Sequence, residues 1–247
     1  MQDFVNELIV GIALKNPIFW IIIIGAILST VFYKKIIGMI GEFWTKCELR
    51  KLSKEYLTLN DIMLRTEDKK THQIDHIVVS KYGIFVIETK HYNGYIIGND
   101  YDKKWCFKAG KNKYYINNPV HQNYGHMKAL EEILELKEEK FIPLICITSN
   151  AKTKINSSNV VRVYELVNRI TSYKNEVLED YQEIYKRLIE LNITNKNERK
   201  NHNKMAEIEK EKKDFSLKNK CPKCGGELIA RKRQIWSFFR LFKFSKM

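Results

Sequence analysis

The chain has 247 residues, 44% of them hydrophobic, and a formal net charge of +14. That length holds one good-sized core plus appendages, and the ordinary apolar content excludes a wholly disordered polymer. Five cysteines, an odd number, argue against a closed disulfide framework and fit a reducing compartment.

The first recognisable element is apolar. Pro17 to Tyr33 reads PIFWIIIIGAILSTVFY, with no charge between Lys15 and Lys34. A run of that length sits at the short end of what crosses a hydrocarbon core, and Trp20 and Tyr33 stand near its ends, where amphipathic rings favour the interface. Asp3 and Glu7 precede the run, in place of the basic cluster that opens a cleaved signal peptide. The expectation is a transmembrane helix at about 17–33 inside an N-terminal segment 1–37. Lys34 and Lys35 then place the body on the cytoplasmic side of the cell membrane, in a single-pass arrangement.

A helix is expected over Gly41–Lys54, followed by strands at Tyr56–Leu64, Gln73–Ser80 and Ile84–Lys90. Lys81-Tyr82-Gly83 supplies the turn between the last two. The runs IVV and IFVI are too apolar for a strand wet on one face, so they belong in the middle of a sheet. Lys104–Phe107 and Lys113–Ile116 form a hairpin, and a helix follows Asn118-Pro119, where proline fits the first turn. Phe141–Thr148 is a buried strand, Val160–Val163 a short one, and helices near Glu165–Tyr173 and Glu176–Leu191 close a body at 38–192. Residues 193–219 read as a charged linker and 220–247 as a separate terminal segment. From Lys196 to the end stand sixteen Lys/Arg against six Asp/Glu, so the basic excess belongs to this tail. Such a tail suits a polyanion, either nucleic acid or anionic lipid, with a solvated charge run as the plainer alternative.

The chemistry lies on the central strands. Glu88 and Lys90 point to one face of their strand and Thr89 to the other. Asp75 sits on the preceding strand beside the IVV run, where an unpaired carboxylate is expensive to bury. Two acids and a lysine converging on one place suit a hard divalent ion and an activated water; a structural acid–lysine pair is the other reading.

The order Asp75-x12-Glu88-x-Lys90 resembles the signature of the PD-(D/E)xK nuclease superfamily, and within it the chain is most similar to the nuclease-related domain family. The resemblance rests on Gly41-Glu42, Gln73-Ile74-Asp75-His76, Gly83 through Lys90, Trp105, and Asn118-Pro119-Val120-His121-Gln122, and runs from about Gly41 to Tyr173. His91-Tyr92-Asn93-Gly94 stands where that family usually shows Asn-Tyr-x-Gly. The resemblance implies an α/β fold, a restriction-endonuclease-like central mixed sheet flanked by helices, and hydrolysis of DNA. It implies that Asp75, Glu88 and the Thr89 carbonyl ligate Mg²⁺ or Mn²⁺, that Lys90 serves the attacking water, and that Glu42 and Gln122 complete the catalytic set. The competing function is a non-catalytic, membrane-tethered nucleic-acid-binding or scaffolding module. His76, His72 and His91 receive no role, His76 being read as a satisfied core histidine.

Cys221-Pro222-Lys223-Cys224 resembles half of a topoisomerase-type zinc ribbon. A structural zinc site needs four ligands, and no cysteine follows Cys224, so Zn²⁺ binding is expected to be weak or absent. A one-base frame shift near Arg231–Arg233 would account for the missing half; a basic, aromatic membrane-surface segment is the other reading of the same residues.

Overall fold

The computed structural model describes residues 16–202 with 204, 205 and 208, and the backbone of two strands, Leu228–Lys232 and Ser237–Leu241; the side chains of 26–31 and 34 are outside that description. Two compact units divide between Asn192 and Ile193.

In the first unit, helix α1 runs unbroken from Pro17 to Leu49. Asn16 caps it, its side chain accepting from the Ile18 N–H at 2.9 Å, and Pro17 takes the first helical position. The expected break between an anchor and a second helix is not present, because Gly38 and Gly41 alone do not interrupt a helix. Among the described residues no helix is long and apolar enough to cross a membrane, so the expected span at 17–33 is not shown. Ile18, Ile21, Ile22 and Ile24 of that run are exposed.

Five strands follow into one sheet: β1 (Leu57–Arg65), β2 (Thr71–Ser80), β3 (Gly83–Lys90), β7 (Phe141–Ile147) and β9 (Val160–Arg162), ordered β1-β2-β3-β7-β9. The first three pair antiparallel; β3, β7 and β9 pair parallel, giving a mixed sheet. The tight turn between β2 and β3 needs Gly83, whose φ of +133° an L side chain rarely adopts. Strand β3 is buried on both sides, as its apolar run requires. Ile84 and Val86 face helices α2 (Pro119–Leu134) and α4 (Tyr181–Leu191), packing on Leu130 and Leu188. Phe85 and Ile87 face the other layer, with Leu49 of α1 and Leu166 and Ile170 of α3 (Leu166–Thr171). The molecule is therefore α/β, with helices on both faces of a central mixed sheet.

A second sheet, ordered β6-β5-β4-β8, was only half visible in the sequence. The expected hairpin is β5 (Lys104–Ala109) with β6 (Asn112–Asn117), but β4 (Tyr95–Asn99) and β8 (Lys152–Asn156) extend it through a parallel pairing. Its inner face packs Ile96, Trp105 and Ala151. Helix α4 starts at Tyr181, later than expected; the preceding residues form a strap whose Val177 and Leu178 N–H groups donate to Lys81 O at the β2–β3 turn.

In the second unit, residues 196–202 are helical, and β10 (Leu228–Lys232) pairs antiparallel with β11 (Ser237–Leu241). Cys221 and Cys224 lie outside the described residues.

Candidate active site

The ends of β2 and β3 carry the acidic cluster. Asp75 and Glu88 project from neighbouring strands towards the α2 side, the face that also takes Ile77 and Val86. The Thr89 N–H donates to Asp75 Oδ2 at 2.7 Å, which holds the carboxylate against β3. Glu88 is 3% exposed. Lys90 Nζ lies 2.5 Å from Glu88 Oε1 and donates to Gln122 Oε1 at 3.0 Å. Thr89 points the opposite way, as alternation demands, and its hydroxyl donates to Thr45 of α1 at 3.2 Å.

The electrostatics separate the two acids. Burial, and then repulsion from Glu88, push the Asp75 carboxyl up to about 8, against the opposing pull of the Thr89 N–H and Lys90. Glu88 is equally buried, but His126 and Lys90 together outweigh that desolvation and hold it below the ordinary carboxylate range. Glu42, on α1, is raised by partial burial and by repulsion from Asp61 and Glu88. Four carboxylates thus feel one another around a single lysine, a surplus of negative charge.

Asp61 stands across from Asp75: the β1–β2 register pairs Asn60 with His76 and Ile62 with Ile74, skipping the two aspartates between. Its φ of +53° is unusual for a residue with a side chain and marks local strain beside the cluster. His126 is the second addition to the expected set, its Nε2 lying 3.4 Å from Glu88 Oε2. It falls four residues after Gln122, so both reach β3 from one face of α2. That i, i+4 relation is the signal in the sequence that points to His126.

His76 corrects an expectation. Its Nδ1 meets Asn60 Oδ1 at 2.8 Å, yet buried Nε2 has no hydrogen-bond partner among the described residues, so the ring is only half satisfied there. Burial pushes its pKa down to about 4, keeping it neutral. His72 packs edge-on against His126, with ring centroids 6.1 Å apart, and His91 Nδ1 meets Thr148 Oγ1 at 3.1 Å.

Helices fix this geometry. Asn118 caps α2, accepting from the Val120 N–H at 2.9 Å, while its amide reaches the carbonyls of Asn99, Asp100 and Asp102 within 3.1 Å. Asn123, one residue beyond Gln122, donates to Val86 O and Leu144 O and clamps α2 onto the sheet. On the opposite face α1 approaches closely at Gly41, where a Cβ would stand 2.8 Å from Thr148 Oγ1 and 3.3 Å from His91 Cβ. Gly41→Ala gains helix propensity of about 1 kcal/mol, but the crowding is expected to dominate, with a net loss of about 1–2 kcal/mol in urea unfolding. An unchanged or higher midpoint would show that α1 slides freely at this position.

Clustered carboxylate oxygens with excess negative charge are the kind of donor that a hard cation takes. Among the described residues, however, no group of three or more His, Cys, Asp or Glu side chains is arranged to hold a metal ion. Asp75 and Glu88 bring two carboxylates together at this end of the sheet, and both Glu88 oxygens have cationic or imidazole neighbours.

The sequence profile of the nuclease-related domain matches residues 37–148, the span that contains all five expected catalytic positions. An uncharacterized protein of Bacillus anthracis is 34% identical over 173 residues, which cover 67% of this chain and 81% of the relative. The chain belongs to the nuclease-related domain family. Its match begins inside α1 and ends one residue past β7, so the profile spans both sheets' central strands and the helix that carries Gln122.

Proposed function

We propose that this nuclease-related chain is a Mg²⁺- or Mn²⁺-dependent phosphodiesterase that hydrolyses DNA. The observation that carries the reading is the shared placement of Asp75, Glu88 and Lys90 on one side of the sheet, with Gln122 touching the lysine. Asp75, Glu88 and the carbonyl of Thr89 would hold the cation. When bound, a divalent ion supplies Lewis acidity at the phosphoryl oxygen and a water of lowered pKa. Lys90 brings a fixed positive charge to the place where phosphate charge develops, and Gln122 holds its ammonium in position. Glu42 offers a further oxygen from α1, coupled electrostatically to the same cluster.

The other function, a binding or scaffolding module, draws support from the Lys90–Glu88 pair itself. At 2.5 Å the two side chains form an ion pair that needs no bound cation. Cleavage of supercoiled plasmid by the full chain in Mg²⁺ or Mn²⁺ separates the two. Nicking that disappears in Asp75→Ala and Lys90→Ala supports the enzyme, while nicking unaffected by either substitution would remove the assignment.

Tethering to the inner face of the cell membrane is part of the same proposal. It rests on the uncharged run from Pro17 to Tyr33, the outward exposure of Ile18, Ile21, Ile22 and Ile24, and the Lys34-Lys35 pair that follows. The basic tail adds attraction to anionic lipid or nucleic acid, and Cys221 with Cys224 offers two of the four thiolates that a zinc ribbon requires.

A further inference from the structure

Five lysines left unused by the catalytic reading stand together on one face of the small sheet. Lys108 is paired across to Lys113 on one side and to Tyr95 on the other, and Tyr95 is paired to Lys152. One row along, Cys106 sits between Tyr115 and Ile97, and Ile97 is paired to Lys154. Cross-strand partners share a face and alternate residues return to it. Lys104, Lys108, Lys113, Lys152 and Lys154 therefore all stand opposite the packed side of Ile96 and Trp105, and all five are exposed. No Asp or Glu occupies any position of this face on the four strands. Lysines two positions apart on a strand are about 7 Å from each other. Tyr115 is 62% exposed, with Lys113 Nζ 5.3 Å from its ring centroid.

The same face runs into a cleft of about 490 Å³. Tyr95 and Lys152 belong to both, and Trp44 of α1 and His91 line the far side. His91 follows Lys90 directly, and Lys90 O accepts from the Thr148 N–H of the cleft at 3.1 Å. The basic face thus leads to the carboxyl end of β3, on its α1 side.

We propose that this face binds an unpaired nucleic-acid strand, the lysines meeting its phosphates and Tyr115, Tyr95 and Trp44 stacking its bases towards the carboxyl end of β3. The choice of nucleic acid over another polyanion rests on the nuclease reading above. Rings interleaved with cations favour a single strand, because a duplex keeps its base faces stacked internally and a lipid surface has none to offer.

The test is fluorescence anisotropy of a labelled oligothymidylate against the full chain, in EDTA, as a function of KCl. The triple variant Lys104→Gln/Lys108→Gln/Lys113→Gln is expected to flatten the salt dependence by about two in log–log slope, since each single-strand phosphate contact contributes about 0.7. Tyr115→Ala is expected to weaken binding roughly tenfold while leaving that slope alone. The basic tail is common to all forms and cancels. Thermal melts that match wild type show that the exposed substitutions leave the fold intact. An unchanged slope and affinity in both variants overturns the proposal. So does a loss confined to blunt duplex or to phosphatidylserine vesicles. Weakened oligonucleotide binding without any cleavage in Mg²⁺ or Mn²⁺ leaves this face standing and removes the catalytic reading. Lys90-dependent cleavage with unaltered strand binding does the reverse.

Discussion

Asp75→Asn is expected to raise the melting temperature of the protein near pH 8 while removing divalent-cation-dependent cleavage. With protein groups alone, burial and the neighbouring Glu88 push the Asp75 pKa up to about 8, far above an ordinary aspartate. The unfolded chain gives up that proton first. Stability from this group is therefore full below about pH 4 and is lost as pH rises through about 8, the window between the unfolded and folded values. Asparagine is neutral throughout and its carbonyl oxygen can still accept from the Thr89 N–H, so the variant escapes the loss. A divalent cation competes with the same proton. Mn²⁺ should accordingly raise the wild-type melting temperature, more at pH 8 than at pH 6, and leave Asp75→Asn unmoved. Cleavage should fall by about 10²–10⁴-fold, the range for losing a group that acts on the proton or charge in the transition state. Stability and activity then move in opposite directions, as expected where a functional site holds uncompensated charge. Scanning fluorimetry across pH with and without Mn²⁺ reads all of this. A variant that melts below wild type at every pH, with no cation effect on either protein, would make Asp75 a satisfied structural carboxylate and leave the hydrolytic reading without its cation site.

Much of this centre was legible because strand periodicity is short and strict. Glu88 and Lys90 must share a face whatever the tertiary fold, and the buried character of IVV and IFVI placed β2 and β3 in the sheet interior. The helices that flank the sheet were implied by the family resemblance, and the strand order was not expected from the sequence. What escaped was set by contacts distant in sequence. Strand β8 alternates lysine with Thr153 and Ile155, and β4 contains Gly98, so neither has a local signal strong enough to stand alone; they become strands by pairing with each other in parallel. Asp61 joins the cluster only because β1 lies beside β2 in a particular register. The apolar run stops at Tyr33 and suggests two helices, whereas helical hydrogen bonding is indifferent to that change in polarity and continues to Leu49.

Trp105→Ala is expected to cost about 3–5 kcal/mol, the range for removing a fully buried tryptophan. The ring is completely inaccessible and forms the centre of the small sheet's core with Ile96 and Ala151. Its indole N–H donates to Asn99 O at 2.9 Å, the same carbonyl that the Asn118 amide reaches at 3.1 Å. Tryptophan and asparagine thus hold the 99–102 loop together, and Asn118 in turn caps the helix that delivers Gln122 to Lys90 and His126 to Glu88. Losing the ring removes packing and frees that loop, so the effect should reach beyond stability. Trp105→Phe keeps most of the volume but not the N–H, and is expected to recover more than half of the lost stability. If the Asn99 carbonyl is what couples the small sheet to α2, cleavage by Trp105→Phe should remain below wild type even where urea unfolding shows the protein fully folded. Cleavage by Trp105→Phe equal to wild type would confine Trp105 to packing. A Trp105→Ala urea midpoint indistinguishable from wild type would mean that the second sheet contributes nothing to the cooperative unit, and the strand-binding face would then lack the rigid support on which its lysine spacing depends.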